Sequence, residues 1–300
     1  MSGPRSPAAQ PEVAPQRAWT EMIMGLPISI HLRTTDFSGP PADGVVRAYN
    51  VMRWADTVFS PFRADSVLSR VNRNEISLDE AGPSFRTVLR LADRALLATD
   101  GAFDVRAAGT LDPCGIVKTW AAQRAARLLP PDSYLNAGGD ISLKATGAPW
   151  RIGVEDPADS STLLAVFALR RGGLATSGTA HRGHHIIDPV HRRPAAGITQ
   201  VTVVGPSLMW ADIWATALVA RGAGILDAHD CLLRRCVDSG YQVLGVSDDA
   251  RVWQTPGLTS LLDPLGGSPG TPLACRTPPD LSRIPAACRA PSAVVPSGFR

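Results

Sequence analysis

The sequence lacks several features that would assign the chain to a broad class of protein. No uninterrupted stretch approaches the roughly 20 apolar residues of a membrane-spanning helix, so no membrane insertion is expected. The 30 basic and 27 acidic residues leave a formal net charge of only +3. Because the basic residues are dispersed, they form no stripe that could bind nucleic acid through counterion release. No nucleic-acid partner is therefore expected.

Cysteine is scarce, and the chain contains no C-x-x-C pair. The five cysteines are Cys114, Cys231, Cys236, Cys275 and Cys288. An odd number at these spacings favours free thiols in a reducing compartment over a disulfide framework. The N-terminal stretch MSGPRSPAAQPEVAPQRAWTE also lacks the apolar core of about 7 to 15 residues that a secretory signal needs. Both features predict a cytoplasmic protein.

Composition divides the chain into three segments. Residues 1–20 are rich in proline and alanine and are predicted to be a flexible N-terminal segment. Residues 21–262 carry the strand and helix patterns, and their length suits one large globular domain. In residues 263–300 proline, glycine and serine are too dense for long helices or strands. This last segment is predicted to be a loosely ordered tail.

Strand and helix patterns alternate within the central segment without a fixed repeat. Strands are predicted in PISIHLR, SYLNAGGDISLKATG, WRIGVEDP, LLAVFALRRGGLATSG and QVTVVGP. Helices are predicted in GVVRAYNVMRWADTVFS, SFRTVLRLADRALLATD, GIVKTWAAQRAARLL and LMWADIWATALVARG, the last between Ser207 as N-cap and Gly222 as stop. YQVLGVSDDARVWQT predicts a hairpin around Asp248 and Asp249. The patterns together predict an α+β (mixed α/β) fold.

Four of the six histidines lie in the stretch HRGHHIIDPVHRR, namely His181, His184, His185 and His191. Their density allows three interpretations: a metal cage, a catalytic base with bystanders, or a polar loop. A structural zinc site usually needs four converging ligands, commonly including cysteine, and the cysteines lie far away in sequence. In an extended segment His184 and His185 point to opposite faces. At most one of these two is therefore expected to serve a given site.

Two other motifs allow both a structural and a chemical interpretation. LNAGGDISL places Gly138 and Gly139 before Asp140, which indicates either a turn between strands or a close backbone approach to a ligand. It lacks the three-glycine fingerprint of dinucleotide-binding folds. In ADIWATAL, helical spacing places Asp212 and Thr216 on one face. They are either an exposed polar pair or ligands for a hard cation such as Mg²⁺.

Nine short motifs occur in a fixed order between residues 22 and 255: MGLPISI, SPFRADSVLSRVNR, GAFDV, DPCGIVKTWAAQRAARLL, LNAGGDISL, WRIGVEDP, LATSG, HHIIDP and VTVVGPSLMWADIWATAL. In this order and spacing the sequence resembles the ApbE family of FAD:protein FMN transferases. The resemblance implies a two-lobed, T-fold-like ApbE architecture with FAD bound between the lobes. It also implies Mg²⁺-dependent transfer of FMN from FAD to a threonine or serine hydroxyl of an acceptor flavoprotein, with release of AMP.

The resemblance further implies roles for individual residues. The general base falls on His185, and an unperturbed histidine pKa of about 6.5 suits proton transfer near neutral pH. The metal site falls on Asp212 and Thr216, with backbone oxygens near Gly115 and Ala215 completing the shell. The flavin-binding positions are Met24, Phe62, Ala102, Phe103, Asp104, Asp112, Lys118 and Ile186, with Asp140 and Asp188 as further candidates.

Several positions depart from the family pattern. The stretch CGIVKTW has Cys114, Val117 and Thr119 where the family commonly has small residues, so the start of this helix is bulkier. Leu26 stands where threonine is common, and Gly183 where a tyrosine often precedes the histidine pair. The implied metal and base positions are retained, which favours an active transferase. Two alternatives remain open: an FAD diphosphatase that yields FMN and AMP, and a non-catalytic FAD-binding protein.

Overall fold

The computed structural model describes residues 15–179, 186–227 and 230–263. Six α-helices occur in these ranges: α1 Asp43–Phe59, α2 Val67–Asn72, α3 Pro83–Ala98, α4 Cys114–Ala126, α5 Leu208–Arg221 and α6 Leu232–Asp238. The same ranges contain twelve strands: β1 Gln16–Ile23, β2 Leu26–Arg33, β3 Ser133–Ala137, β4 Asp140–Lys144, β5 Trp150–Asp156, β6 Asp159–Leu169, β7 Arg171–Gly178, β8 Ile187–Asp188, β9 Arg193–Pro194, β10 Ile198–Gly205, β11 Gln242–Ser247 and β12 Val252–Gln254.

One large sheet organises the described part of the chain. Its strand order is β1-β2-β3-β4-β7-β10-β11-β12, and each neighbouring pair is antiparallel. Two small hairpins, β5 with β6 and β8 with β9, stand outside it. Helices packed on an antiparallel sheet make an α+β fold, so the predicted fold class is confirmed.

Alternate residues of the central strands enter two separate hydrophobic cores. Ala175 of β7 and Val203 of β10 belong to the larger core, which lies under the helices. There α5 packs on β7 and β10, and α4 packs between α1 and α5. Leu174 and Val204, the adjacent residues, belong to the second core together with the β5–β6 hairpin. The sheet is therefore covered by helices on one face and by a hairpin on the other.

The longer helices and the C-terminal hairpin lie close to their predicted positions. Ser207 caps α5, because its Oγ accepts a hydrogen bond from the backbone N–H of Trp210 at 3.5 Å. The helix ends at Gly222, whose φ of 69° lies in the region that favours glycine. β11 and β12 pair as the predicted hairpin, with Asp248 and Asp249 between them.

Several elements were not predicted, among them β1, α2 and α6. β1 begins at Gln16, inside the segment predicted to be flexible, and pairs with β2 along its whole length. As an edge strand it is only half-buried, which weakens its hydrophobic pattern. α6 is seven residues long, too short for helical periodicity to be recognised. Residues 1–14 and 264–300 lie outside the described ranges, so the division into three segments stays a prediction.

One prediction about the cysteines is wrong. Cys114 and Cys236 are free thiols, as expected, but Cys231 is disulfide-bonded. A disulfide requires two Cα atoms within about 7 Å in the folded chain. Sequence spacing does not determine that distance, and the five cysteines therefore could not all be assigned as free thiols from their positions along the chain.

Candidate functional site

A cavity of about 900 Å³ lies where two hairpin turns of the sheet meet the N-terminal end of α4. The end of β7, one side of α5 and the segment that begins at Ile186 also line it. The walls are thus contributed by elements that are far apart along the chain. The eight-stranded sheet fixes the relative positions of the two turns, and the helices packed on it close the sides.

The two hairpin turns are built in the same way and lie side by side. Met24 and Gly25 connect β1 to β2 with φ values of 56° and 70°, and Gly138 and Gly139 connect β3 to β4 with φ values of 62° and 103°. Positive φ at both positions is typical of a two-residue turn that follows the twist of its strands. A Cβ atom on Gly138 would lie 3.2 Å from a methyl carbon of Leu26. The interpretation of LNAGGDISL as a turn between strands is therefore confirmed, and this turn lies at the cavity.

The N-terminal end of α4 is capped and tightly packed. The Asp112 carboxylate accepts a hydrogen bond from the backbone N–H of Cys114 at 3.0 Å. A Cβ atom on Gly115 would lie 3.3 Å from the ring of Phe103, so glycine lets the helix approach this ring. Burial, together with Asp112, raises the pKa of the Cys114 thiol. The thiol is therefore neutral at physiological pH and a poor nucleophile.

A buried ionic cluster connects α4, β4 and α5 beside the cavity. The Lys118 ammonium pairs with the Asp140 carboxylate and lies 3.5 Å from Oδ2 of Asp212. The two aspartates are only 2% and 3% exposed, so their charges need partners inside the protein. Asp140 also accepts a hydrogen bond from the backbone N–H of Thr176 at 3.1 Å. Its two oxygens are thus held by β7 and by Lys118.

Asp212 is buried, and one positive charge does not fully compensate it. Its Oδ2 accepts a hydrogen bond from the Thr119 hydroxyl at 3.1 Å. Burial raises the pKa of Asp212 to about 7; Lys118 opposes this shift, and Asp140 adds to it. The alternative of an exposed polar pair on this helix is therefore wrong for Asp212.

The side chains at this position fit a hard divalent cation. Thr216 lies one turn after Asp212, lines the same cavity, and its hydroxyl is 3.0 Å from that of Ser177. Carboxylate, hydroxyl and backbone oxygens are ligands that Mg²⁺ prefers. Within the described ranges no three His, Cys, Asp or Glu side chains converge, so hydroxyl and backbone oxygens would have to complete the shell. Burial raises the pKa of Asp212, and a cation bound beside it would favour the charged carboxylate.

The structure brings most of the predicted site residues together. All eight predicted flavin-binding residues line the cavity: Met24, Phe62, Ala102, Phe103, Asp104, Asp112, Lys118 and Ile186. Of the four predicted metal positions, Gly115, Asp212 and Thr216 line it. Ala215 does not line it, and its side chain is fully buried, so only its backbone could serve a ligand.

The histidine-rich stretch is only partly described. His185, the predicted base, lies outside the described residues, as do His181 and His184. The next residue, Ile186, is buried and lines the cavity. His191 is held through Nδ1 by the Asp188 carboxylate at 2.5 Å and does not line the cavity.

Sequence reasoning did not assign a role to several polar residues of this site, among them Thr119, Ser177 and Gln200. Thr119 was noted only as a departure from the family pattern, yet its hydroxyl contacts Asp212. Ser177 and Gln200 line the cavity. Ser177 could have been found because it lies in the motif LATSG. Thr119 and Asp212 are 93 positions apart along the chain. No local sequence pattern could therefore predict their contact.

Comparison with known proteins shows the family to which the chain belongs. The chain matches the ApbE family over residues 24–110 and 106–229. The FAD:protein FMN transferase of Rhodobacter capsulatus is 28% identical over 263 residues, which cover 83% of this chain and 47% of the relative. The enzyme of the same name from Escherichia coli (strain K12) is 29% identical over 160 residues, which cover 48% of this chain and 45% of the relative. The chain thus spans about half the length of these curated relatives.

Solved structures show the same fold. The ApbE protein from Thermotoga maritima superposes with a TM-score of 0.71 at 20% identity, covering 83% of this chain and 100% of that one. The flavin transferase ApbE from Vibrio cholerae gives a TM-score of 0.69 at 22% identity with the same coverage. The family match extends over more than half of the length of this chain. The chain therefore belongs to the ApbE family.

Proposed function

We propose that this protein is an FAD:protein FMN transferase that uses Mg²⁺ to transfer FMN from FAD to a threonine or serine hydroxyl of an acceptor flavoprotein. The observation that carries the proposal is the convergence of the eight predicted flavin-binding positions on one cavity, beside the ionic cluster of Lys118, Asp140 and Asp212. The names of the curated relatives support the same activity.

The size and charge of the cavity suit a dinucleotide. A volume of about 900 Å³ lies near the upper end of the range for small-molecule sites. Transfer at a diphosphate requires neutralisation of phosphate charge and in-line placement of the attacking hydroxyl. The Lys118 ammonium and the N-terminal end of α4 line the cavity, and both favour bound anions.

Asp212 and Thr216 would hold the Mg²⁺, with backbone oxygens near Gly115 and Ala215. When bound, the ion would supply further neutralisation of charge at the diphosphate. The aromatic ring of Phe62, at the mouth of the cavity, is free to stack on the isoalloxazine ring. Together these residues bind and orient the donor.

The proposed reaction is a single substitution at phosphorus. The oxygen of the acceptor hydroxyl forms a bond to the phosphorus atom of the FMN moiety. The bond from this phosphorus to the bridging oxygen breaks, and AMP leaves with that oxygen. We assign His185 as the base that takes the hydroxyl proton. The neutral Cys114 thiol offers no competing nucleophile at the cavity.

Mass spectrometry of the products tests this proposal. The full chain is mixed with FAD, Mg²⁺ and a flavoprotein domain that carries an acceptor threonine, and AMP is measured by chromatography. We expect the acceptor to gain the mass of FMN minus water, with one AMP released for each acceptor labelled. An acceptor with this threonine changed to valine should not be labelled.

The alternatives predict different products in the same experiment. Free FMN and AMP without a labelled acceptor would contradict transfer and indicate an FAD diphosphatase. Bound FAD without AMP would indicate a non-catalytic FAD-binding protein.

A cytoplasmic location is part of the proposal. Within the described ranges, no helix is long and apolar enough to cross a membrane. The disulfide at Cys231 counts against the argument from a reducing compartment. Fractionation of cells that express the full-length protein tests the location directly.

A further inference from the structure

We propose that Thr119 is a positioning residue that orients the Asp212 carboxylate for a divalent cation. This inference rests on the proposed metal site and adds a residue to which the family resemblance gives no role. Thr119 lies on α4 and is fully buried. Its Oγ1 is 3.1 Å from Oδ2 of Asp212 on α5, so the contact joins the two helices behind the cavity.

The direction of this hydrogen bond follows from the chemistry of its partners. The Thr119 hydroxyl has one proton and two acceptors within reach: the Asp212 carboxylate at 3.1 Å and the backbone carbonyl of Ile116 at 3.4 Å. An ionised carboxylate is the stronger acceptor and is also the nearer one. The hydroxyl therefore donates to Asp212 when this carboxylate is charged, which is the form that binds a cation.

The hydrogen bond also fixes which carboxylate oxygen is available. Among the described residues, the ion pair with Lys118 and the hydrogen bond from Thr119 both engage Oδ2 of Asp212. We therefore infer that the other carboxylate oxygen of Asp212, Oδ1, is the one that binds a cation. Thr119 does not itself line the cavity, so it acts through Asp212 and not by contact with substrate.

The residue type at position 119 matters for this role. The family commonly has a small residue at this position, and threonine makes the start of the helix bulkier. Its hydroxyl also gives the buried carboxylate a second partner, which glycine could not supply. A β-branched side chain also has few rotamers in a helix, so the hydroxyl is held near Asp212 at little entropic cost.

Binding of Mn²⁺ alone to the full-length protein, measured by calorimetry, tests the role of this hydroxyl. Thr119→Val removes the hydroxyl and keeps the shape, Thr119→Ser keeps the hydroxyl, and Asp212→Asn removes the negative charge of the proposed ligand. We expect Thr119→Val to weaken Mn²⁺ binding roughly 10- to 100-fold, as is typical when a partner of a metal ligand is removed. Thr119→Ser should restore binding to within about threefold of wild type.

Two controls separate orientation from folding. Thr255→Val removes a buried hydroxyl that does not line the cavity and should leave Mn²⁺ binding unchanged. Thermal melting in EDTA monitors the folding of each variant. If Thr119→Val does not fold, Thr119→Ala takes its place in the same comparison with Thr119→Ser.

The possible outcomes distinguish this inference from the proposed function. Wild-type affinity in Thr119→Val, or an equal loss in Thr119→Val and Thr119→Ser, would overturn the role of the hydroxyl while leaving the metal site in place. Equal Mn²⁺ binding by wild type and Asp212→Asn would contradict the proposed metal site. It would then also contradict the positioning role of Thr119.

Discussion

The Lys118 ammonium lies 3.5 Å from the Asp212 carboxylate, inside the cavity that also holds the predicted flavin-binding residues. This lysine partly compensates the negative charge of the carboxylate proposed to bind Mg²⁺. It is shared with Asp140, which pairs with the same ammonium. Both Lys118 and a bound metal ion would compensate the negative charge of Asp212. Removal of Lys118 should therefore make a bound metal ion contribute more to the stability of the protein.

Lys118→Met should make the stability of the protein depend more strongly on Mg²⁺. The change leaves Asp140 and Asp212 buried without their ammonium, and removal of one partner from a buried pair costs about 3 kcal/mol or more. We expect lower stability in EDTA and a larger stabilisation by Mg²⁺ than in wild type. Urea unfolding with and without Mg²⁺ measures both effects. Lys118→Arg keeps the charge as a control, and equal stability of Lys118→Met and wild type in EDTA would contradict the prediction.

The raised pKa of Asp212 predicts a particular pH dependence. Burial moves this pKa from 3.8 to about 7. Between these values the folded protein keeps a proton that the unfolded chain has lost, so Asp212 lowers stability as the pH rises from about 4 to about 7. The same proton competes with a cation, and Mg²⁺ affinity should therefore increase up to about pH 7.

Asp212→Asn tests this linkage and retains the shape of the side chain. In EDTA at about pH 8 the variant should be at least as stable as wild type, because it does not bury a carboxylate charge that Lys118 compensates only in part. It should show no stabilisation by Mg²⁺ and should lose metal-dependent turnover. Melting temperatures at about pH 5 and pH 8, with and without Mg²⁺, provide the measurement. Strong destabilisation of the variant at the higher pH would be the contrary result.

The sequence predicted the main elements of this site but not the contacts within it. The spacing of Asp212 and Thr216 placed both residues on one helical face. Their helix, α5, is apolar on nearly every side, which is the pattern of a buried helix, so burial of Asp212 was recoverable from LMWADIWATALVAR. The ion pair of Lys118 with Asp140 was not recoverable, because it depends on the packing of α4 against the β3–β4 hairpin.

The residues of the two hairpin turns at the cavity were also identified from the sequence, but the proximity of the turns was not predicted. Met24 and Gly25 were carried over as part of a motif, and Gly138 and Gly139 as a glycine turn. That the two turns lie side by side follows only from the strand order, in which β2 and β3 are neighbours although about a hundred residues lie between them. Local patterns predict elements well, whereas a site assembled from distant elements requires the sheet topology.

Phe62 is expected to contribute to FAD binding and little to stability. Its side chain is 94% exposed at the mouth of the cavity, so it has almost no packing to lose. Phe62→Ala should weaken FAD binding about twofold to tenfold, which corresponds to the roughly 0.5–1.5 kcal/mol of an aromatic stacking contact. Phe62→Tyr should retain the affinity. Fluorescence titration with FAD measures the change, and Phe37→Ala, at an exposed residue that does not line the cavity, serves as the matched control.

His185→Ala should slow FMN transfer by about 10²- to 10⁴-fold if His185 is the general base. His191 provides the comparison within the same stretch, because its Nδ1 is bound to Asp188 and it does not line the cavity. His191→Ala should therefore keep a rate close to wild type. Initial rates of acceptor labelling at saturating FAD and Mg²⁺ separate the two variants. A normal rate for His185→Ala would exclude this base, and a larger loss for His191→Ala would move the assignment to the Asp188–His191 pair.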